Sequence, residues 1–153
     1  KCIKNTYFDF RKVQTNKNLC KLLYSTFSRS LSDIFVTNVF PFIKPGNMNS
    51  NISQRDINSA FKEFCLPQIK IVNPSLVICC GKKVFLSVLN CFGDQSDPKI
   101  HNYTQNENIF FYYQRHPSPQ AINLNGGIEK AKSDWIKMKD QCKIFLQKAA
   151  SRG

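Results

Sequence analysis

Ser75-Leu-Val-Ile-Cys-Cys80, closed by Gly81, and Ile109-Phe-Phe-Tyr-Tyr113, which runs on into Gln114-Arg115-His116, are the two stretches that decide the fold. Each is a short, unbroken apolar run bounded by breakers. In Ser75–Cys80 the lack of polar alternation is what a strand needs when helices cover both faces of a parallel sheet and no residue has to meet water, and Ile109–Tyr113 reads as a further strand. Between the two, residues from Lys82 to about Cys91 carry a helical pattern, and 93–108 holds Asp, Ser, Pro, Asn and Glu without periodicity and reads as a surface loop. Upstream, Asp33-Ile-Phe-Val-Thr-Asn38 is a third β-branched run. Pro41, Pro45 and Gly46 follow it, so it reads as a buried strand entering a rigid loop.

The helices follow from stop and start signals. Ser53 is a plausible N-cap, with Ile57, Phe61, Phe64, Ile69 and Val72 at helical spacing behind it, until Asn73-Pro74 ends the pattern. Pro67 lacks an N–H and should kink that helix or divide it in two. At the C-terminal end, Ile128, Ala131, Trp135, Met138, Cys142, Phe145 and Ala149 form one apolar stripe, with most lysines off it. Strands alternating with helices imply a three-layer α/β/α domain with a parallel central sheet, whose ligands sit at the carboxyl ends of the strands.

Composition fits one such domain over 1–153: 42% of the residues are hydrophobic and 21% charged, and thirteen Phe supply bulky core material. No run approaches the roughly 18 apolar residues of a membrane span, and residues 1–11 lack the shape of a signal peptide. With seven cysteines, an odd number, and no Cys-x-x-Cys pair, zinc and disulfide-framework readings fail on spacing. A reduced, intracellular setting is expected, cytoplasmic or nuclear. The net charge is +12, and it is a field rather than a tail: residues 1–60 hold nine basic against three acidic groups, and 61–153 hold thirteen against seven. Counterion release then favours a polyanionic partner, nucleic acid first.

Two polar clusters follow buried runs and are expected to face one crevice: Thr37-Asn38 with the Pro45-Gly-Asn47 segment, and His116-Pro-Ser-Pro119. Taken singly, Asn38 could be a strand-end amide satisfying backbone, and His116 a core histidine. As a pair they are harder to dismiss, because a Pro-Ser-Pro frame fixes two φ angles and stiffness is what a preorganised donor requires.

Phe35-Val-Thr-Asn-Val-Phe-Pro-Phe-Ile-Lys-Pro-Gly-Asn47, then Gln68-Ile69 with Asn73-Pro-Ser-Leu-Val-Ile-Cys-Cys-Gly81, then His116-Pro-Ser-Pro119 resemble three consecutive landmarks of the uracil-DNA glycosylase superfamily in order and spacing. The resemblance runs from about Leu22 to Trp135. It implies a DNA-repair hydrolase of base excision that flips uracil, or a related damaged base, out of DNA and cuts its N-glycosidic bond as a monomer without cofactor or metal. By the same resemblance Asn38 reads the uracil edge, its amide matching O4 and N3–H and mismatching the cytosine amino group. His116 donates to O2 of the departing base. Pro117, Ser118 and Pro119 grip the DNA backbone, with the Ser118 hydroxyl or amide on a phosphate.

The chain departs from the family pattern in three places. Gln120 stands where the best-studied branch has an apolar wedge, which points to a branch with a polar or longer insertion, such as the single-strand-selective type that the Asn125-Gly126 region faintly resembles. Phe42 and Phe61 stand where an iron-sulfur branch has cluster-ligating cysteines, so no cluster is expected. The water-activating Gly-x-x-Pro loop occurs nowhere in the chain. A strand bearing that loop is therefore expected upstream of Lys1. Within the sequence, Asp9 is the nearest acid for positioning water, and Phe8 or Phe10 could stack on the base or simply belong to the core. The alternative to an enzyme is a catalytically silent DNA-binding protein of the same fold. An unrelated nucleotide-binding α/β domain would need a Gly-rich phosphate loop, which is absent.

Overall fold

The structure, a computed structural model, describes residues 13–40, 51–97 and 101–150, leaving aside the side chains of 144–146 and 148–150. Phe8, Asp9, Phe10, Phe42 and the Pro45-Gly-Asn47 segment lie outside the described residues. In chain order the elements are α1 (Gln14–Phe27), a 3-10 turn (Leu31–Asp33), α2 (Gln54–Ala60), a π-helical turn (Phe61–Cys65), α3 (Leu66–Val72), β1 (Leu76–Cys80), α4 (Lys82–Phe92), β2 (Tyr103–Asn106), β3 (Ile109–Gln114), α5 (Pro119–Asn123) and α6 (Gly127–Ala150). No helix among the described residues is long and apolar enough to cross a membrane.

Among the described residues, β3 is the central strand of a three-stranded sheet of order β1-β3-β2. It runs parallel to β1, with Leu76 opposite Phe110 and Cys80 opposite Gln114. It runs antiparallel to β2, with Tyr103 opposite Tyr112 and Asn106 opposite Ile109. The sheet is therefore mixed, not parallel, and part of the expected 93–108 loop is a strand. The Asn106–Ile109 pair leaves a two-residue connection, and Glu107 takes the positive φ of 53° that so tight a hairpin demands. The Thr104 hydroxyl, buried between two outward neighbours, donates to Asp94 Oδ2 at 2.6 Å and anchors the strand.

Side chains of β3 alternate between two cores, as the period of two requires. Phe110 and Tyr112 pack with Leu22 and Leu23 of α1 and with Trp135, Met138 and Cys142 of α6. Ile109 and Phe111 pack with Phe85, Val88 and Leu89 of α4 and with Phe61, Cys65 and Ile69. Helices thus cover both faces at β3. Among the described residues β1 lies at a sheet edge and only its Cys79 is fully buried, so the expected burial of Ser75–Cys80 on both faces is not met; β3 is the strand buried in that way. Trp135 is 2% exposed and truncating it to Ala should cost about 3–5 kcal/mol.

The expected strand 33–38 is not formed. Asp33 is drawn instead into a capping box with Ser30, whose backbone N–H and hydroxyl donate to Asp33 Oδ2 at 2.7 and 2.9 Å. These bonds hold the Asp33 carboxyl below its ordinary pKa. Beyond that turn, Phe35 is 58% exposed. β propensity is expressed through packing and pairing, and this run pairs with no strand among the described residues.

Ser53 does cap α2, its hydroxyl accepting from the Asp56 N–H. Asn73 ends α3 in the left-handed region at φ 47°. Pro67 divides the long helix by an unforeseen route. The turn before it widens to π geometry, with the Leu66 N–H reaching Phe61 O, and this makes room for the proline ring near the start of α3.

Candidate functional site

The exits of β1 and β3 are tied together where the Gly81 N–H donates to Gln114 O at 2.8 Å. From Gln114 the chain passes through Arg115-His116-Pro117-Ser118 into α5, and four hydrogen bonds fix its path. Ser118 is the N-cap of α5, its hydroxyl oxygen accepting from the Ala121 N–H at 3.3 Å. The Ser118 N–H donates to His116 Nδ1 at 3.2 Å. Asn18 of α1 donates from Nδ2 to Pro117 O at 2.9 Å in a buried contact, and Gln14 holds the Asn18 amide by donating to its Oδ1 at 3.0 Å. With φ also fixed at Pro117 and Pro119, this segment has little freedom left.

The Ser118–His116 bond sets the chemistry. An imidazole nitrogen that accepts carries no proton, so Nδ1 is bare and the proton of the neutral ring sits on Nε2. Desolvation also holds the His116 pKa below 6.5, favouring the neutral form, while one side of the residue stays open to solvent. His116 is thus a neutral Nε2–H donor at the carboxyl end of the central strand.

Of the three residues expected to grip DNA, Pro117 is buried with its carbonyl engaged by Asn18, whereas Ser118 is part-buried and Pro119 exposed. The Ser118 amide is spent on His116 and its oxygen on the cap, leaving the hydroxyl proton for an acceptor. Asn38 is exposed, and its carbonyl accepts a 3.8 Å contact from Cys65 Sγ. Next to it, Val39 packs on the Phe61–Cys65–Cys79 core. Asn38 therefore lies on the side covered by the π-helical turn and α4, and His116 beside α1, α5 and α6. They are linked through Cys65, β1 and the Gly81–Gln114 bond rather than by a described contact of their own.

Two clefts adjoin the exit of β3. The first, between His116, Ala121, Asn125 and Trp135, offers about 20 Å³, room for a single water molecule. The second, on the far side of Arg115, offers about 260 Å³. Gln114, Arg115 and Asp134 line both. At the end of α5, Leu124 is 77% exposed. Gly126 and Gly127 follow at φ 91° and 81°, a left-handed pair that returns the chain into α6.

Burial raises the thiols of Cys65, Cys79, Cys80 and Cys142, Cys80 to about 11 and Cys142 to about 12, so they are protonated at neutral pH and are poor nucleophiles. Phe61 is a core residue. Among the described residues, no group of three or more His, Cys, Asp and Glu could hold a metal ion.

Asn18, Leu124 and the larger cleft escaped the sequence reading. Asn18 had a signal, standing beside the Leu19, Leu22, Leu23 and Phe27 spacing of a helix; the cleft had none, being assembled from three elements. Comparison of the chain with protein-family models, curated proteins and solved structures gives no match.

Proposed function

We propose that this chain acts on DNA as a uracil-DNA glycosylase-type hydrolase, releasing uracil or a related damaged base by base flipping. The observation that carries the reading is the Ser118 N–H donating to His116 Nδ1 at 3.2 Å on a segment clamped by Asn18, which leaves Nε2 to carry the proton of the neutral ring. When the bond from C1′ to N1 breaks, its electron pair leaves with the base and negative charge grows on O2. Water adds to C1′ and gives up its second proton to solvent. A positioned neutral donor at O2 is worth about 2.7–4 kcal/mol of barrier, because it meets charge that exists only in the transition state.

The remaining assignments support this reading. Helices on both faces of the sheet and the parallel β1–β3 pair suit a three-layer α/β/α fold of this kind. A charge of +12 suits DNA. Exposed Leu124, at the C-terminal end of α5, suits the apolar side chain that fills an emptied base step. Since the first cleft admits only water, the flipped base would lie on the open side of His116, with Asn38 reading its edge. No described residue is assigned to the attacking water.

That last point favours a second reading, a DNA-binding protein of the same fold that does not cut. Incubation with a uracil-containing oligonucleotide, followed by alkaline cleavage at abasic sites, separates the two. Strand scission that disappears in His116→Ala supports the glycosylase; a tightly bound but intact oligonucleotide supports the silent protein.

A further inference from the structure

We infer that the larger cleft, between the exit of β3 and α6, is a subsite for the phosphate and sugar of a nucleotide flanking the one at His116. The inference rests on the nucleic-acid reading above and extends it to residues that reading leaves unused. The volume of about 260 Å³ approaches the roughly 300 Å³ at which small-ligand pockets begin, and it is more than ten times that of the His116 cleft beside it. Because Gln114, Arg115 and Asp134 line both clefts, a strand crossing His116 can continue past Arg115 without leaving the protein surface.

The charges in the larger cleft select an anion. Arg115 and Lys137 line it as cations, and both are exposed. Among the described residues the one carboxylate in the lining, Asp134, is engaged by the Lys130 ammonium one turn away. With that carboxylate compensated, two cations remain for phosphate.

The neutral groups are equally specific. Asn102 Nδ2 donates to the Tyr112 hydroxyl at 2.6 Å, and that hydroxyl donates in turn to Gln141 Oε1. Burial raises the Tyr112 pKa, so its proton is present at neutral pH. Asn102 is itself fixed to the strand, its carbonyl accepting from the Tyr113 N–H at 2.7 Å. This chain of bonds orients both amides and leaves the side-chain Asn102 Oδ1 and the Gln141 Nε2 amino group with bonding capacity for a sugar hydroxyl or a base edge. An inorganic anion would use the cations and leave these amides idle, whereas a nucleotide uses both.

The test is binding of a fluorescent thymidine octamer, which contains no uracil, to the full chain between about 50 and 200 mM salt. Each phosphate contact on a single strand adds about 0.7 to the slope of log affinity against log salt, so the double variant Arg115→Gln/Lys137→Gln should lose about 1.4 from the slope. Gln141→Leu should weaken binding with the slope unchanged. Lys62→Gln, an exposed cation on the opposite side of the sheet, should leave both unchanged. An unaltered slope in the double variant, an equal drop in Lys62→Gln, or no binding of the octamer by the unmodified protein overturns the subsite. Uracil excision is scored separately: a reduced slope without excision keeps the subsite and removes the glycosylase, and excision with an unaltered slope does the reverse.

Discussion

At residues 114–119 the chain leaves a central strand and is immediately caught by a cap, an amide-to-imidazole bond and a buried amide from a distant helix. At residues 35–40 it leaves a capped 3-10 turn and runs exposed through Asn38, meeting the core at Val39 and, through the Asn38 carbonyl, at Cys65. Both segments carry motif residues of comparable appearance in sequence. What separates them is neighbours: β3 has a strand on each side and helices on both faces, and the other run has no strand to pair with among the described residues. A motif residue becomes a preorganised group only where the fold restricts it, and here that restriction is concentrated on His116.

The contrast is open to attack by substitution. The largest effect belongs to the clamped side. His116→Ala should slow uracil release about 10²- to 10³-fold while changing DNA affinity little, since the donor acts on charge developed in the transition state. Steady-state excision beside anisotropy titration measures the two separately, and equal losses in both would remove that role. Asn18→Ala should come next. It leaves the buried Pro117 carbonyl unpartnered at a cost of about 1–3 kcal/mol, read as a lower urea midpoint at constant m-value. Ser118→Ala removes the α5 cap for about 1 kcal/mol, yet keeps the backbone amide that fixes the His116 ring, so the tautomer should survive it.

The smallest effect on stability belongs to the exposed side. Asn38→Asp should change stability by no more than about 0.5 kcal/mol, because Asn38 is exposed and uses only its backbone carbonyl in the described contacts. Its effect on base preference should nonetheless be visible. A carboxylate accepts from the cytosine amino group but cannot donate to uracil O4, so selectivity should move toward cytosine. Retained uracil selectivity would take Asn38 out of base reading, and a large stability loss would show that residues 35–40 are as firmly held as 114–119.

Local signals were legible wherever one residue type settles one backbone choice. Ser53, Asn73, Gly81 and the apolar run of β3 mark their boundaries within a residue or two. Signals that depend on a distant partner were not. Asp33 reads as the start of a β-branched run, but Ser30 takes its carboxylate first. Tyr103-Thr-Gln-Asn106 has too little apolar content to read as a strand, and it becomes one because β3 offers an edge and Asp94 holds Thr104. The His116 segment was visible as a stiff motif, but its protonation state was not, since that state depends on where the Ser118 amide and the Asn18 side chain arrive after folding.

The same geometry fixes a pH dependence. In the unfolded chain His116 titrates near 6.5, and in the folded chain partial burial depresses that value. Between the two values the unfolded state binds more protons, so stability should rise with pH through the window just below 6.5 and fall as the solution is acidified through it.

The most direct measurement is the nitrogen-15 long-range spectrum of the two histidines as a function of pH, with His101→Gln used to assign them. The account predicts a His116 ring protonated at Nε2 and bare at Nδ1 at neutral pH, titrating below 6.5. A ring protonated at Nδ1, or one that titrates at or above 6.5, would contradict the claim that the exit of β3 presents a preorganised neutral donor.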